Sequence, residues 1–294
     1  MTNIKNGFDS LLKYPLNDGN FIPAFGLGVS PLSPCSKNNV GGTEKAVSVA
    51  LKHGYYMIDT AEAYENEVEV GSGIKNSDVK RDDVYVVTKL WDQNGYNYCL
   101  KAFDSSLKRL NMDYVDLYLM HRPDGDQLLE TYDAFLTLKE KGLAKSIGVS
   151  NFNIAMLEGL CKAGKETPAV NQIEIHPYMR RDELVKYCHD HNIHVMASSP
   201  LTKGKRLKEP DMITMAEKYK KTVPQLFIRW SIQSGFSVIP KSCNEKRIIE
   251  NAQVFDWSIS DEDMAILNSQ PQATCLDETA CIYHAHDMKP SWTS

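Results

Sequence analysis

A chain of 294 residues, 42% hydrophobic and 24% charged, can fill a core and has none of the bias of a disordered segment. Its formal net charge of -5 lacks the basic excess of a nucleic-acid footprint. No run approaches the ~18 apolar residues of a membrane helix, and neither a secretory leader in Met1–Leu16 nor an Asn-x-Ser/Thr acceptor is found, so a cytoplasmic protein with no nucleic-acid or membrane partner is expected.

The chain opens on Leu-Asn-Asp-Gly-Asn-Phe over Leu16–Phe21. Asp18-Gly19 is a hairpin signal, and a hairpin over about 14–22 is expected to plug one face of the domain. Eight short runs then alternate with helical patterns. The expected strands are Ala24–Leu27, Tyr56–Asp59, Val84–Lys89, Val115–His121, Ser146–Ser150, Val170–Glu174, His194–Ser198 and Ser237–Pro240. The expected helices are Thr43–Lys52, Glu67–Ile74, Tyr96–Arg109, Gln127–Lys141, Asn153–Ala163, Asp182–His191 and Asp211–Lys220, with Pro224–Gln233 before the last strand. Asn153 suits a helix cap, Pro224 a first turn, and Gly54 and Gly142 helix ends. Ile248–Ala252 and Asp261–Asn268 read as extra helices, and the tail from Gln270 has no period.

The polar strand ends Gly28, Asp59, Lys89, His121 and Ser150 recur every 29 to 32 residues, about the length of one βα unit. The expected fold is therefore α/β: a single (β/α)8 TIM barrel spanning 1–294, with the N-terminal hairpin, extra C-terminal helices and a C-terminal substrate loop at 270–294. Seven cysteines in a long chain, with no Cys-x-x-Cys, read as mostly reduced thiols. Cys275, Cys281, His284 and His286 match no zinc spacing, so no metal is expected.

A barrel carries its active site at the C-terminal strand ends. Those ends are Asp59, Lys89, His121, Ser150-Asn151, Gln172, Ser198-Ser199 and Lys241-Ser242, with Tyr64 just beyond Asp59. Singly, such residues are more often caps, packing or salt-bridge partners. Four ionisable groups at one rim can do more. A phenol near its ordinary pKa of ~10 is a poor acid at neutral pH. An ammonium at Lys89, held by Asp59, would lower the Tyr64 pKa, and His121 could orient a carbonyl oxygen. That set suits carbonyl reduction by a hydride, which a cofactor must supply. There is no complete Gly-x-Gly-x-x-Gly fingerprint, no P-loop and no nucleophile elbow.

Met57-Ile58-Asp59-Thr60-Ala61-Glu62-Ala63-Tyr64-Glu65-Asn66-Glu67 resembles the first signature of the aldo-keto reductases. Thr88-Lys89-Leu90-Trp91, Leu119-Met120-His121-Arg122-Pro123, Gly148-Val149-Ser150-Asn151-Phe152, Asn171-Gln172-Ile173-Glu174 and Ile239-Pro240-Lys241-Ser242 with Arg247-Ile248-Ile249-Glu250-Asn251 extend the resemblance from about Leu16 to Asn268. It implies a catalytic tetrad of Asp59, Tyr64, Lys89 and His121. It also implies that Ser150, Asn151 and Gln172 hold a nicotinamide carboxamide. Lys241, Ser242, Asn244, Arg247, Glu250 and Asn251 would take the adenosine end, with Val29, Ser198, Ser199 and Leu201 completing the cofactor surround. Lys241 and Arg247 can clamp a 2′-phosphate, which favours NADPH.

The departures matter. Ser198 stands where the family usually stacks an aromatic ring on the nicotinamide, and Ser30 where an aromatic commonly lines the pocket. The pocket, with Ser30, Trp91 and Arg122 as substrate candidates, should be wider and more polar. Arg122 suggests an anionic or sugar-derived carbonyl substrate, although strand alternation favours an outward salt bridge. The expected protein is a monomeric NADPH-dependent reductase of aldehydes or ketones. The alternatives are an NADP(H)-binding sensor with negligible turnover and a lyase using Lys89 as a Schiff base.

Overall fold

The computed structural model describes residues 12–30 and 42–272. All but the first three residues of the expected substrate loop lie outside that range, as do Cys35, Cys275, Cys281, His284 and His286. Strands β1 (Lys13–Pro15) and β2 (Phe21–Pro23) pair antiparallel. The expected hairpin is thus present, but Asp18-Gly19 sits inside a five-residue loop. Leu16 N–H reaches the Asn20 carbonyl at 2.8 Å and Gly19 takes φ 87°, open to a residue without a Cβ. Asn17 donates to the carbonyls of Thr167 and Pro168, and Asn20 to the Lys145 carbonyl and Ser146 hydroxyl. These acceptors lie at the beginnings of parallel strands, so the hairpin covers the N-terminal mouth.

The large sheet runs in chain order through β3 (Leu27–Gly28), β4 (Met57–Asp59), β5 (Tyr85–Leu90), β6 (Val115–Met120), β7 (Ala144–Ser150), β8 (Val170–Glu174), β9 (His194–Ser198) and β10 (Ser237–Val238), every pair parallel. Parallel bridges Phe25–Val238 and Gly28–Lys241 join the two edges and close the barrel. Gly26 N–H to Val238 O at 3.0 Å and Val238 N–H to Ala24 O at 2.9 Å complete the seam. The first and last strands are shorter than the sequence pattern predicts because single bridges, rather than a continued ladder, make this seam.

Helices α1 (Gly42–Lys52), α2 (Glu67–Lys75), α3 (Tyr96–Leu110), α4 (Leu128–Glu140), α5 (Ile154–Lys162), α6 (Asp182–Asp190), α7 (Pro210–Lys218) and α8 (Val223–Gln233) connect the strands. Helices α9 (Glu245–Ala252) and α10 (Asp261–Asn268) follow the last strand. Asn153 caps α5 by accepting from Met156 N–H at 3.0 Å. Thr222 and Gln225 form a capping box on α8, with Pro224 in the first turn. Gly54 and Gly142 have φ 82° and 69°, as chain reversal after a helix requires.

Side chains of a strand alternate between faces. Met57, Val87, Leu117, Leu119, Val170, Met196 and Ile239 fill the interior together with Leu16 and Ile22 from the plug. Ile58, Val86, Tyr118, Met120, Ile147 and Ile173 pack outward against the helices. The inward phase continues to Asp59, Lys89, His121 and Gln172, which therefore converge at the C-terminal mouth. Cys99, Cys161 and Cys188 are free thiols, as expected, whereas Cys243 is disulfide-bonded. No helix among the described residues is long and apolar enough to cross a membrane.

Candidate active site

Lys89 is fully buried on β5, and an ammonium in that position needs compensation for all three of its protons. Nζ donates to Asp59 Oδ1 at 2.6 Å and to the Thr60 carbonyl at 2.8 Å. The centroid of the Tyr64 ring lies 5.0 Å from Nζ. Burial alone would lower the Lys89 pKa, but Asp59 and Tyr64 outweigh it and the net direction is upward. Lys89 is therefore held as a cation, which a Schiff-base nucleophile could not be. The second Asp59 oxygen accepts from Gln172 Nε2 at 2.8 Å, so the carboxylate is fixed from β5 and β8 together.

Tyr64 ends the short 3-10 turn Glu62–Tyr64, with Glu65 at φ 54° turning the chain into α2. Burial pushes its pKa up, the Lys89 charge pulls it down, Asp59 pushes it up, and the polar groups of Lys89 and Ser30 pull it down. The net direction is upward. The expectation that Lys89 would leave Tyr64 with a lowered pKa is thus corrected: desolvation exceeds the nearby cation. Tyr64 keeps its proton at neutral pH, and the cation favours the tyrosinate once that proton has gone. His121 lies edge-on to Tyr64 with ring centroids 5.4 Å apart. Burial, then the charges of Lys89 and Arg122, hold its pKa well below the usual imidazole value, so it is neutral.

Several supporting residues carried no role in the sequence reading. Thr60 lends its carbonyl to Lys89, while its hydroxyl donates to Asn66 Oδ1 at 2.7 Å. Asn66 in turn donates to the Val29 carbonyl at 2.8 Å. Val29 N–H reaches the Asp59 carbonyl at 3.0 Å, so Val29 is tied on both sides of its α-carbon. Asn66 stands inside the Asp59–Glu67 motif and could have been singled out there. A backbone carbonyl leaves no mark in a sequence.

The pocket wall differs from expectation at one position. Trp91 lies edge-on to His121, with ring centroids 5.0 Å apart, and is partly exposed. Arg122, in the opposite strand phase from His121, lies over Trp91 at 4.2 Å. Its guanidinium is 3.0 Å from Asp92 and 2.9 Å from Asp124. Two carboxylates balance its charge, so Arg122 braces Trp91 instead of offering a free cation to an anionic substrate. The proposed anion contact is corrected accordingly.

Beside the tetrad, Ser150 donates to the Gln172 carbonyl at 2.9 Å, and Asn151, at φ 63°, donates to the His121 carbonyl at 2.9 Å. Ser150, Asn151 and Gln172 thus form one amide-lined shelf. Ser198 ends β9, and Ser199 (φ 50°) turns the chain through Leu201 into the Thr202–Gly204 turn. Within the basic loop Leu201–Pro210, Arg206 is taken up by Glu209 at 2.8 Å. Beyond β10, Asn244 caps α9 by accepting from Arg247 N–H at 3.1 Å, and its own backbone N–H donates to Ser242 Oγ at 3.2 Å. Lys241 is half-buried, and burial lowers its pKa to about 8. Neither Lys241 nor the exposed Arg247 has a carboxylate beside it among the described residues. A cation desolvated without a counter-charge fits an anion arriving from outside. Asn251 is buried nearby, while Glu250 accepts from Thr222 at 2.8 Å.

The model of the family described as "Aldo/keto reductase family" matches residues 27–270. A glyoxal reductase of Bacillus subtilis (strain 168) is 44% identical over 250 residues, covering 85% of this chain and 89% of its own. An aldo-keto reductase of Mycolicibacterium smegmatis is 45% identical over 257 residues, covering 86% and 91%. Among solved structures, one from Brucella melitensis, titled an aldo/keto reductase, superposes with TM-score 0.82 at 46% identity, covering 87% of this chain and 98% of its own. A Bombyx mori aldo-keto reductase in complex with NADP gives TM-score 0.82 at 36% identity, covering 87% and 92%.

Proposed function

The chain belongs to the aldo/keto reductase family, and on that premise we propose that it reduces an aldehyde or ketone carbonyl at the expense of NADPH, with Tyr64 as the proton donor. The observation that carries this reading is the buried Lys89 Nζ, bonded to Asp59 and Thr60 and 5.0 Å from the centroid of the Tyr64 ring. It places a permanent cation against a phenol that still holds its proton.

NADPH, when bound, supplies the hydride. The fit of this chain to that cofactor rests on the Ser150–Asn151–Gln172 shelf, whose amide and hydroxyl groups suit a carboxamide, and on Lys241 and Arg247, which suit a 2′-phosphate. Ser242, Asn244 and the first turn of α9 add donors beside them, while Val29, Ser198, Ser199, Leu201, Glu250 and Asn251 complete the expected surround. Tyr64 gives its proton to the carbonyl oxygen, and Lys89 stabilises the tyrosinate that remains. Neutral His121 holds the oxygen without competing as an acid. Asp59 keeps Lys89 in place and charged. Trp91 and Ser30 border the substrate, and Ser30 leaves room and polarity where a ring would close the pocket. With the Arg122 charge balanced by Asp92 and Asp124, small, neutral, polar carbonyl compounds, including sugar-derived aldehydes, fit better than carboxylated ones.

We read the protein as a monomer that needs only these two small molecules. The test is NADPH oxidation with a panel of a neutral aromatic aldehyde, a short aliphatic aldehyde, an aldose and a uronate, using Tyr64→Phe as the blank. Turnover lost in the variant supports the reading. No turnover with any of them while NADPH still binds would favour a sensing role.

A further inference from the structure

Trp91 lies just past β5 and is partly exposed, so packing alone does not fix it. Polar neighbours hold it instead. The Arg122 guanidinium sits 4.2 Å from the centre of the indole, and the His121 ring meets it edge-on at 5.0 Å. Gln93, itself buried, donates Nε2 to the Trp91 carbonyl at 3.1 Å. The Trp91 backbone N–H donates to Glu62 Oε2 at 3.3 Å. The following residues are pinned as well: Asp92 accepts from Arg122 at 3.0 Å, and Gly95 N–H donates to Thr131 Oγ1 at 3.0 Å. Both backbone polar groups of Trp91 and its ring are therefore engaged. Glu62 differs from the other holders in where it stands. It is the first residue of the Glu62–Tyr64 turn, whose last residue is the proposed proton donor. Lys89 ties the start of that segment to β5 through Asp59 and the Thr60 carbonyl. The Glu62–Trp91 bond ties it a second time, beyond the strand end, so that the turn carrying the phenol and the segment carrying the indole keep one spacing.

We propose that Glu62 is a specificity-determining positioning residue: by accepting the Trp91 N–H it sets the spacing between the Trp91 wall and the Tyr64 turn, and so favours carbonyl compounds broad enough to lie against the indole. This rests on the reading in which Tyr64 is the acid and Trp91 borders the substrate. A wall already in place costs a substrate nothing to order, whereas a loosened side chain must be immobilised when the substrate arrives, and that cost appears in binding. Glu62 is partly exposed, so in its absence water can take the Trp91 N–H and the fold is not at stake. A short aliphatic aldehyde reaches Tyr64 and His121 without needing the indole, and a flat aromatic one does not. The two substrates therefore separate a displaced wall from a general loss of activity.

The experiment compares wild type, Glu62→Ala and Glu62→Gln on a neutral aromatic aldehyde and a short aliphatic aldehyde at saturating NADPH, with Tyr64→Phe as the control. In Glu62→Ala the KM for the aromatic aldehyde should rise by about threefold to tenfold. Its kcat should stay within about twofold, and the KM for the aliphatic aldehyde should not change. Glu62→Gln, whose amide oxygen can accept the same N–H, should recover most of the loss. Acrylamide quenching of Trp91 fluorescence, taken as the difference from a Trp91→Phe background, should increase in Glu62→Ala and return in Glu62→Gln. NADPH affinity should be unchanged in both, which shows a folded site. If Tyr64→Phe is inactive while Glu62→Ala matches wild type on both aldehydes, or loses equally on both, Glu62 has no such role and the acid assignment stands. Glu62→Gln as defective as Glu62→Ala would trace the effect to the charge and overturn the proposal as well. If Tyr64→Phe keeps full activity, the acid assignment itself is wrong.

Discussion

Asp59→Asn removes the only side-chain carboxylate that Lys89 Nζ touches among the described residues, at 2.6 Å, and leaves a group of nearly the same size. Lys89 is fully buried and Asp59 nearly so, which makes solvent a poor substitute. The folded-state pKa of Lys89 is raised in the wild type. Its stabilising contribution is therefore fully present below the unfolded value of 10.5 and fades only as pH climbs through the folded one. In Asp59→Asn the largest influence left is burial, which favours neutral lysine, and the sign reverses. Folding must then strip a proton, at about 1.4 kcal/mol for each pH unit below the unfolded value, or about 5 kcal/mol at pH 7. Measured losses on breaking buried pairs, about 3–5 kcal/mol, agree. Urea unfolding of both proteins at pH 7, 8 and 9 should show a loss of about 3–5 kcal/mol at pH 7 that shrinks by about 1.4 kcal/mol per unit as pH rises. A loss below about 1 kcal/mol, or one equal at all three pH values, would refute the claim that Asp59 is what keeps Lys89 charged.

Two further predictions concern the borders of the site. Lys241, with a pKa of about 8, is charged below that value and neutral above it. NADPH affinity should accordingly fall by about tenfold or more between pH 7 and 9 while NADH affinity stays level, and Lys241→Met should flatten the NADPH curve; fluorescence titration at both pH values decides, and a level wild-type curve would remove Lys241 from the phosphate site. Arg122→Ala should lower kcat/KM for a neutral aldehyde and its carboxylated analogue by similar factors, since Arg122 acts through Trp91. A loss confined to the carboxylated compound would reinstate Arg122 as an anion contact.

Much of this architecture was legible in the residue order because two periods are local. Alternation by two places Asp59, Lys89, His121 and Gln172 in the same phase as Met57, Val87, Leu119 and Val170, and that phase is the barrel interior. The repeat of about thirty residues between strand ends announces a βα unit each time. Strand β8 and strand β9 match the sequence pattern residue for residue for the same reason. The alternation also argued for an outward Arg122, which the Asp92 and Asp124 pairs bear out.

What the sequence left open depends on pairs far apart in the chain. Whether Lys89 lowers the Tyr64 pKa is decided by how much water the folded rim excludes, and burial outweighs the cation. The shortness of β3 and β10 follows from how the last strand meets the first, across more than two hundred residues. By itself, then, the sequence determined the barrel, its plug and the four groups at its mouth, since each is written in spacing and residue type. The direction of each proton, the balance of each charge and the partner of each hydroxyl were decided by the tertiary structure, because desolvation and hydrogen-bond geometry arise only when distant strand ends meet.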